Sequence, residues 1–90
     1  MTEKIVNVPN KLGIHARPAA LIVRAAVEFD CDVWVESPAD KVNAKSIMGV
    51  MTLAASGGTA ITVSAHGAEE IEAVDAVVEV IKSGFGEEMI

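Results

Sequence analysis

Along this chain the apolar residues switch between a two-residue spacing and a spacing of three to four, and each switch marks a predicted element. KIVNV, residues 4 to 8, has strand character and stops at Pro9, which has no N–H to give a ladder. From Ala16 the residues Ala19, Ile22, Val23, Ala26 and Phe29 recur at helical spacing, with Arg24 and Glu28 on the other side, predicting an amphipathic helix of about three turns. DVWVE, residues 32 to 36, sets Val33 and Val35 against Trp34, so Trp34 is expected on the outer face. SPAD, residues 37 to 40, is turn chemistry, and KVNA reads as the return strand of a hairpin. Ser46 is a candidate N-cap for the short apolar helix IMGVMTLA, in which Val50 and Leu53 share the core side. After the break at residues 56 to 58, TAITVSAH alternates Ile61, Val63 and Ala65 against Thr62, Ser64 and His66, with the second set expected to face water. Gly67 opens a last helix with Glu69 and Glu70 in its first turn, Ile71, Val74, Val78 and Ile81 on the core side, and Gly84 as its stop.

The order is βαββαβα. Strands with two distinct faces and one-sided helices predict an α+β domain, with three helices on one face of a mainly antiparallel sheet. No linker or repeat interrupts the pattern, so residues 1–90 are expected to form a single domain.

Composition narrows the chemistry. The 90 residues are 51% apolar, yet no stretch approaches the ~20 apolar residues that span a bilayer, and MTEKIVNV lacks the parts of a secretory signal. A cytoplasmic chain without membrane insertion is expected. Thirteen acidic residues against seven basic give a net charge of -6, which opposes the counterion release behind nucleic-acid binding. Three aromatics, Phe29, Trp34 and Phe85, offer no base-stacking platform, so nucleic acid is excluded as a partner. The single cysteine, Cys31, reads as a buried thiol. No carboxylate pair, Ser-His-Asp set or ligand cluster has supportive spacing, and His15 has no second ligand at i+3 or i+4; no metal and no cofactor are expected.

One stretch stands out against that background: GIHARPAA, residues 13 to 20. Gly13 supplies backbone freedom and Pro18 fits a first helical turn, so together they fix where the helix begins. His15 then lies at or just before the N-cap, with the free N–H groups of Ala16 and Arg17 beside its ring. An anion there meets amide donors and the positive end of a dipole. Arg17 adds a planar fork suited to two phosphoryl oxygens. A neutral imidazole nitrogen can take a phosphoryl group, and protonation of the other nitrogen makes it a good leaving group. The competing reading of a lone histidine is a capping or surface residue, and the residues gathered around this one weigh against it.

GIHARPAA, followed some thirty residues later by KSIMGVMTLAA, resembles the HPr family, the histidine-containing phosphocarriers of the bacterial phosphoenolpyruvate-dependent phosphotransferase system. The resemblance spans the whole chain. It implies an open-faced β-sandwich with four antiparallel strands ordered 1-4-2-3 under three helices. It implies a protein that is not itself an enzyme: His15 accepts a phosphoryl group at Nδ1 from enzyme I and passes it to the IIA component of a sugar permease, while Arg17 stabilises the group. The KSIMGVM context implies a regulatory phosphoserine at Ser46, and with it HPr kinase/phosphorylase and a catabolite-control regulator as further partners. It also implies partner contact through Ile47, Met48 and Met51 and through Arg24, although Val27 stands where family members often carry lysine. A monomer is expected. Two alternatives remain: a regulatory module of the same fold that works through Ser46, and a nitrogen-related carrier.

Overall fold

The computed structural model describes residues 1–90. It contains β1 (Thr2–Asn7), α1 (Ala16–Ala26), β2 (Asp32–Glu36), β3 (Lys41–Asn43), α2 (Ile47–Met51), β4 (Ala60–His66) and α3 (Glu70–Lys82), then one 3₁₀ turn at Gly84–Gly86. The sheet order is β1-β4-β2-β3, with every neighbouring pair antiparallel. β1 and β2 therefore run in the same direction, joined through α1, and β4, the last strand in chain order, fills the gap between them. The result is the open-faced α+β sandwich that the resemblance implies.

Helix and sheet meet in one core of 22 buried apolar residues. β2 contributes Val33 and Val35, β4 contributes Ile61, Val63 and Ala65, and within each strand these positions lie two apart, as alternation requires. α1 buries Pro18, Ala19, Ile22 and Ala26, and α3 buries Ala73, Val74, Val77, Val78 and Ile81. Val50 and Leu53 close the core beneath α2, and Cys31 is a buried free thiol. No helix is long and apolar enough to cross a membrane.

Four local expectations are corrected. Ser64 does not face water: it is 3% exposed, because it sits on the central strand directly opposite Trp34 of β2 and Glu3 of β1, whose side chains flank it on the open face. α3 begins at Glu70, not Gly67; Glu69 is its N-cap in the left-handed conformation (φ 59), and the acidic first-turn residues are Glu70 and Glu72. Ile71 is 58% exposed, since the buried stripe of α3 runs through Ala73 and Val77 instead. β1 also starts earlier than its apolar run and ends at Asn7, where Pro9 stops the ladder.

Trp34 is half-buried on the open face, with the Lys41 ammonium 5.1 Å from its ring centroid. In the SPAD turn the buried Ser37 accepts the N–H groups of Ala39 and Asp40, which reverses the chain into β3.

Candidate functional site

The loop before α1 is pinned at several points. Asn10 is fully buried, and its Nδ2 donates to Gly13 O at 2.9 Å while the Gly13 N–H returns to Asn10 O. Gly13 has φ 75, and a Cβ there would stand 2.2 Å from Ala55 O. Only glycine fits that approach. The next residue, Ile14, is buried and donates its N–H to the same Ala55 carbonyl, so the loop is sewn to the segment that follows α2.

This brings His15 to the N-cap of α1 in extended conformation (φ -117, ψ -162), with its carbonyl accepting from Ala19 N at 2.9 Å. The His15 side chain is 43% exposed and makes no capping hydrogen bond. The N–H groups of Ala16 and Arg17 lie too early in the helix to find an acceptor within it, and both residues are exposed. Pro18, which has no N–H, follows and is buried. An exposed imidazole thus stands beside unclaimed amides at the positive end of an 11-residue helix.

Two neighbours come from the C-terminal tail, which the sequence pattern did not reach. Glu87 Oε2 lies 2.8 Å from His15 Nε2, and Glu87 Oε1 accepts from Asn10 Nδ2 at 2.9 Å. The bond from His15 holds the Glu87 carboxyl below the usual carboxylate range, with Asn10 and the charges of His15 and Arg17 adding to the effect against partial burial. Arg17 Nη1 donates to Phe85 O at 2.7 Å, which leaves the other guanidinium donors uncommitted. Phe85 itself is buried at φ 60 between Gly84 (φ 71) and Gly86 (φ 75). The tail is held against the loop by Lys11 N to Glu88 O, Ile90 N to Pro9 O and an isolated bridge between Asn10 and Met89. The glycines around Phe85 were a visible turn signal. A contact spanning 72 positions, from His15 to Glu87, has no local signature.

Of the other candidate residues, Ser46 is the N-cap of α2, and its Oγ accepts from Gly49 N at 3.0 Å. Ile47, Met48 and Met51 are 45%, 80% and 43% exposed, so α2 shows solvent an apolar surface while burying Val50. Arg24 is exposed at the other end of α1, seven positions after Arg17 and so on the same helix side, ~10 Å along the axis. Val27 is 53% exposed. His66 is exposed at the end of β4, far along the chain from His15, and no group of three His, Cys, Asp or Glu side chains is placed to hold a metal ion.

An open-faced sandwich of this topology, with a histidine displayed at a helix N-terminus, defines a class of small phosphocarrier domains. Residues 2–83 match the family described as the PTS HPr component phosphorylation site. The phosphocarrier protein HPr of Treponema pallidum is 44% identical over 88 residues, which is 98% of this chain and all of that one. The crystal structure of HPr-C-His from Thermoanaerobacter tengcongensis superposes with a TM-score of 0.91 at 50% identity, covering 99% of this chain and 100% of that one. The HPr-like protein Crh of Bacillus subtilis is 51% identical over 75 residues, 83% of this chain and 88% of its own. The chain belongs to the HPr family of phosphotransferase-system phosphocarriers.

Proposed function

We propose that this chain is a cytoplasmic phosphocarrier in which His15 accepts a phosphoryl group from phosphorylated enzyme I and hands it to the IIA component of a sugar permease. The observation that carries this reading is the exposed His15 ring at the start of α1, beside amides of Ala16 and Arg17 that no acceptor within the helix can use. Those amides and the free donors of Arg17 would meet the phosphoryl oxygens, and the fixed guanidinium charge would offset the dianion. The exposed face of α2, with Ile47, Met48 and Met51, together with Arg24, would form the docking surface, since flexible thioethers adapt to successive partners. All of these groups lie on one chain, so this reading takes the carrier as a monomer and needs no second copy.

Ser46 would be the regulatory site. A phosphoryl group there adds about -1.5 to -2 charges at the start of α2, where the fold tolerates them, and the effect falls on partners. HPr kinase/phosphorylase would be its source and a catabolite-control regulator its reader. The likeness to Crh favours a second reading, a regulatory module that works through Ser46 alone. A nitrogen-related carrier of the same fold is the third.

Incubation with enzyme I, phosphoenolpyruvate and Mg2+, followed by 31P NMR, separates these readings. An acid-labile adduct on the unaltered chain that is lost in His15→Ala supports the carrier, whereas an unmodified chain leaves the regulatory module ahead. Arg17→Ala is expected to slow transfer while folding changes little, since the one hydrogen bond it loses, to Phe85 O, is part-exposed.

A further inference from the structure

The contact between Glu87 and His15 is the strongest feature that the phosphocarrier reading leaves unused. We propose that Glu87 is a positioning residue: its carboxylate, steadied by Asn10, holds the Nε2–H of His15 and so presents Nδ1 as the ring nitrogen open to a phosphoryl group. This rests on the reading of His15 as the phosphoryl acceptor.

The chemistry of the groups sets the direction of each bond. An ionised carboxylate only accepts hydrogen bonds, so at 2.8 Å the proton of the shared bond sits on Nε2. In the neutral ring the other nitrogen then carries the lone pair. Nδ1 makes no hydrogen bond to any group of the chain, and the ring caps nothing in α1. The carboxylate is itself held in place. Asn10 is fully buried and gives Nδ2 to both Glu87 Oε1 and Gly13 O, so the loop that displays His15 and the acid that faces it share one fixed amide. Glu87 is 15% exposed against 43% for the histidine, so the acid forms the back wall and the ring forms the open side.

In the first transfer the Nδ1 lone pair forms the N–P bond as phosphorus separates from its donor atom, which keeps that electron pair. Nε2 retains its proton throughout. The positive charge that builds on the ring as Nδ1 gives up its pair faces the Glu87 carboxylate across a hydrogen bond. In the second transfer the Nδ1–P bond breaks, its electrons return to Nδ1, and the acceptor's nucleophile makes the new bond to phosphorus. A protonated Nε2 helps the ring to leave. Held in this way, the acid serves both halves of the relay and needs no proton movement of its own.

The test uses the full chain with enzyme I and phosphoenolpyruvate. The unaltered protein should show a hydrogen-bonded proton on Nε2 in 1H–15N spectra of the imidazole, and 31P–15N coupling should place the adduct on Nδ1. Glu87→Ala should lose that proton signal and accept phosphate about tenfold more slowly, with KM for enzyme I unchanged and part of the adduct on Nε2. Glu87→Asp, which keeps the charge, should recover part of the rate. Glu87→Gln, which keeps the bulk without the charge, should stay slow while folded, separating charge from packing. A wild-type ring protonated on Nδ1, or a folded Glu87→Ala that matches the parent in rate and in site of attachment, would overturn the proposal while leaving the phosphocarrier reading intact. An unaltered chain that takes up no phosphate, or a His15→Ala chain that still does, overturns both.

Discussion

Gly13 shows how narrowly a single residue defines the site. At φ 75, with Ala55 O 2.2 Å from where a Cβ would stand, it admits no side chain. Gly13→Ala combines a left-handed backbone penalty of about 1–2 kcal/mol with a collision against main chain that cannot swing aside, so a loss above ~2 kcal/mol in urea unfolding is expected. Because Ile14 and His15 follow directly, phosphate uptake by the folded fraction should fall as well. Parent-like stability would show that this loop is not wedged against Ala55. Ser46 makes a smaller claim on the fold. Ser46→Ala removes the acceptor for Gly49 N and should lower stability by about 1 kcal/mol. Ser46→Asp should keep the cap and slow phosphate uptake from enzyme I, and an unchanged rate would count against a regulatory role for this position.

At the scale of elements, two acids of α3 tie it to β1: Asp75 pairs with Lys4, and Glu70 gathers the larger set of donors. Glu70 accepts Thr2 Oγ1 at 2.6 Å, Gly67 N at 3.2 Å and lies 3.1 Å from the Met1 amino group. The bond from Thr2, then those from Gly67 and the amino terminus, lower its pKa from 4.5 to about 2. Above the ordinary value the carboxylate is ionised in both states and its stabilisation is whole. As the pH falls from about 4.5 toward 2, the unfolded chain takes up a proton that the folded chain refuses, and the stabilisation is lost. Glu70→Gln should therefore be less stable at neutral pH and show a flatter acid limb across that window; parallel limbs would remove the claim. The same join marks where pattern reading stops. Alternation along β2 and β4, the Ser46 cap and the start of α1 were all legible, because each depends on residues a few positions apart. The exposed Ile71 and the covered Ser64 were not, because each depends on what lies across from it in the fold, and the left-handed N-cap Glu69 is a conformation its residue type does not announce. The site divides along the same line: His15, Ala16 and Arg17 lie within one short motif, whereas Asn10 and Glu87 meet only through the fold.

Taken whole, the molecule has one core shared by every helix and three of the four strands, and Ile22 is fully buried within it. Ile22→Ala should remove about 2–5 kcal/mol through lost burial and the cavity left behind. Unfolding of the parent is expected as one transition, reported alike by far-UV circular dichroism from the helices and by fluorescence of Trp34, the single tryptophan, on the sheet's open face. Transitions that separate between the two probes would mean that sheet and helices melt independently. The order of the strands has a further outcome for the way the chain is made. β1 has no sheet neighbour until β4 arrives, and the loop around His15 gains its wall only when residues 84 to 90 come to rest against Pro9, Asn10 and Lys11. His15 is synthesised before the segments that wall it, so if it is the phosphoryl acceptor, a half-made chain would present an unsupported imidazole and is expected to compete poorly with finished molecules.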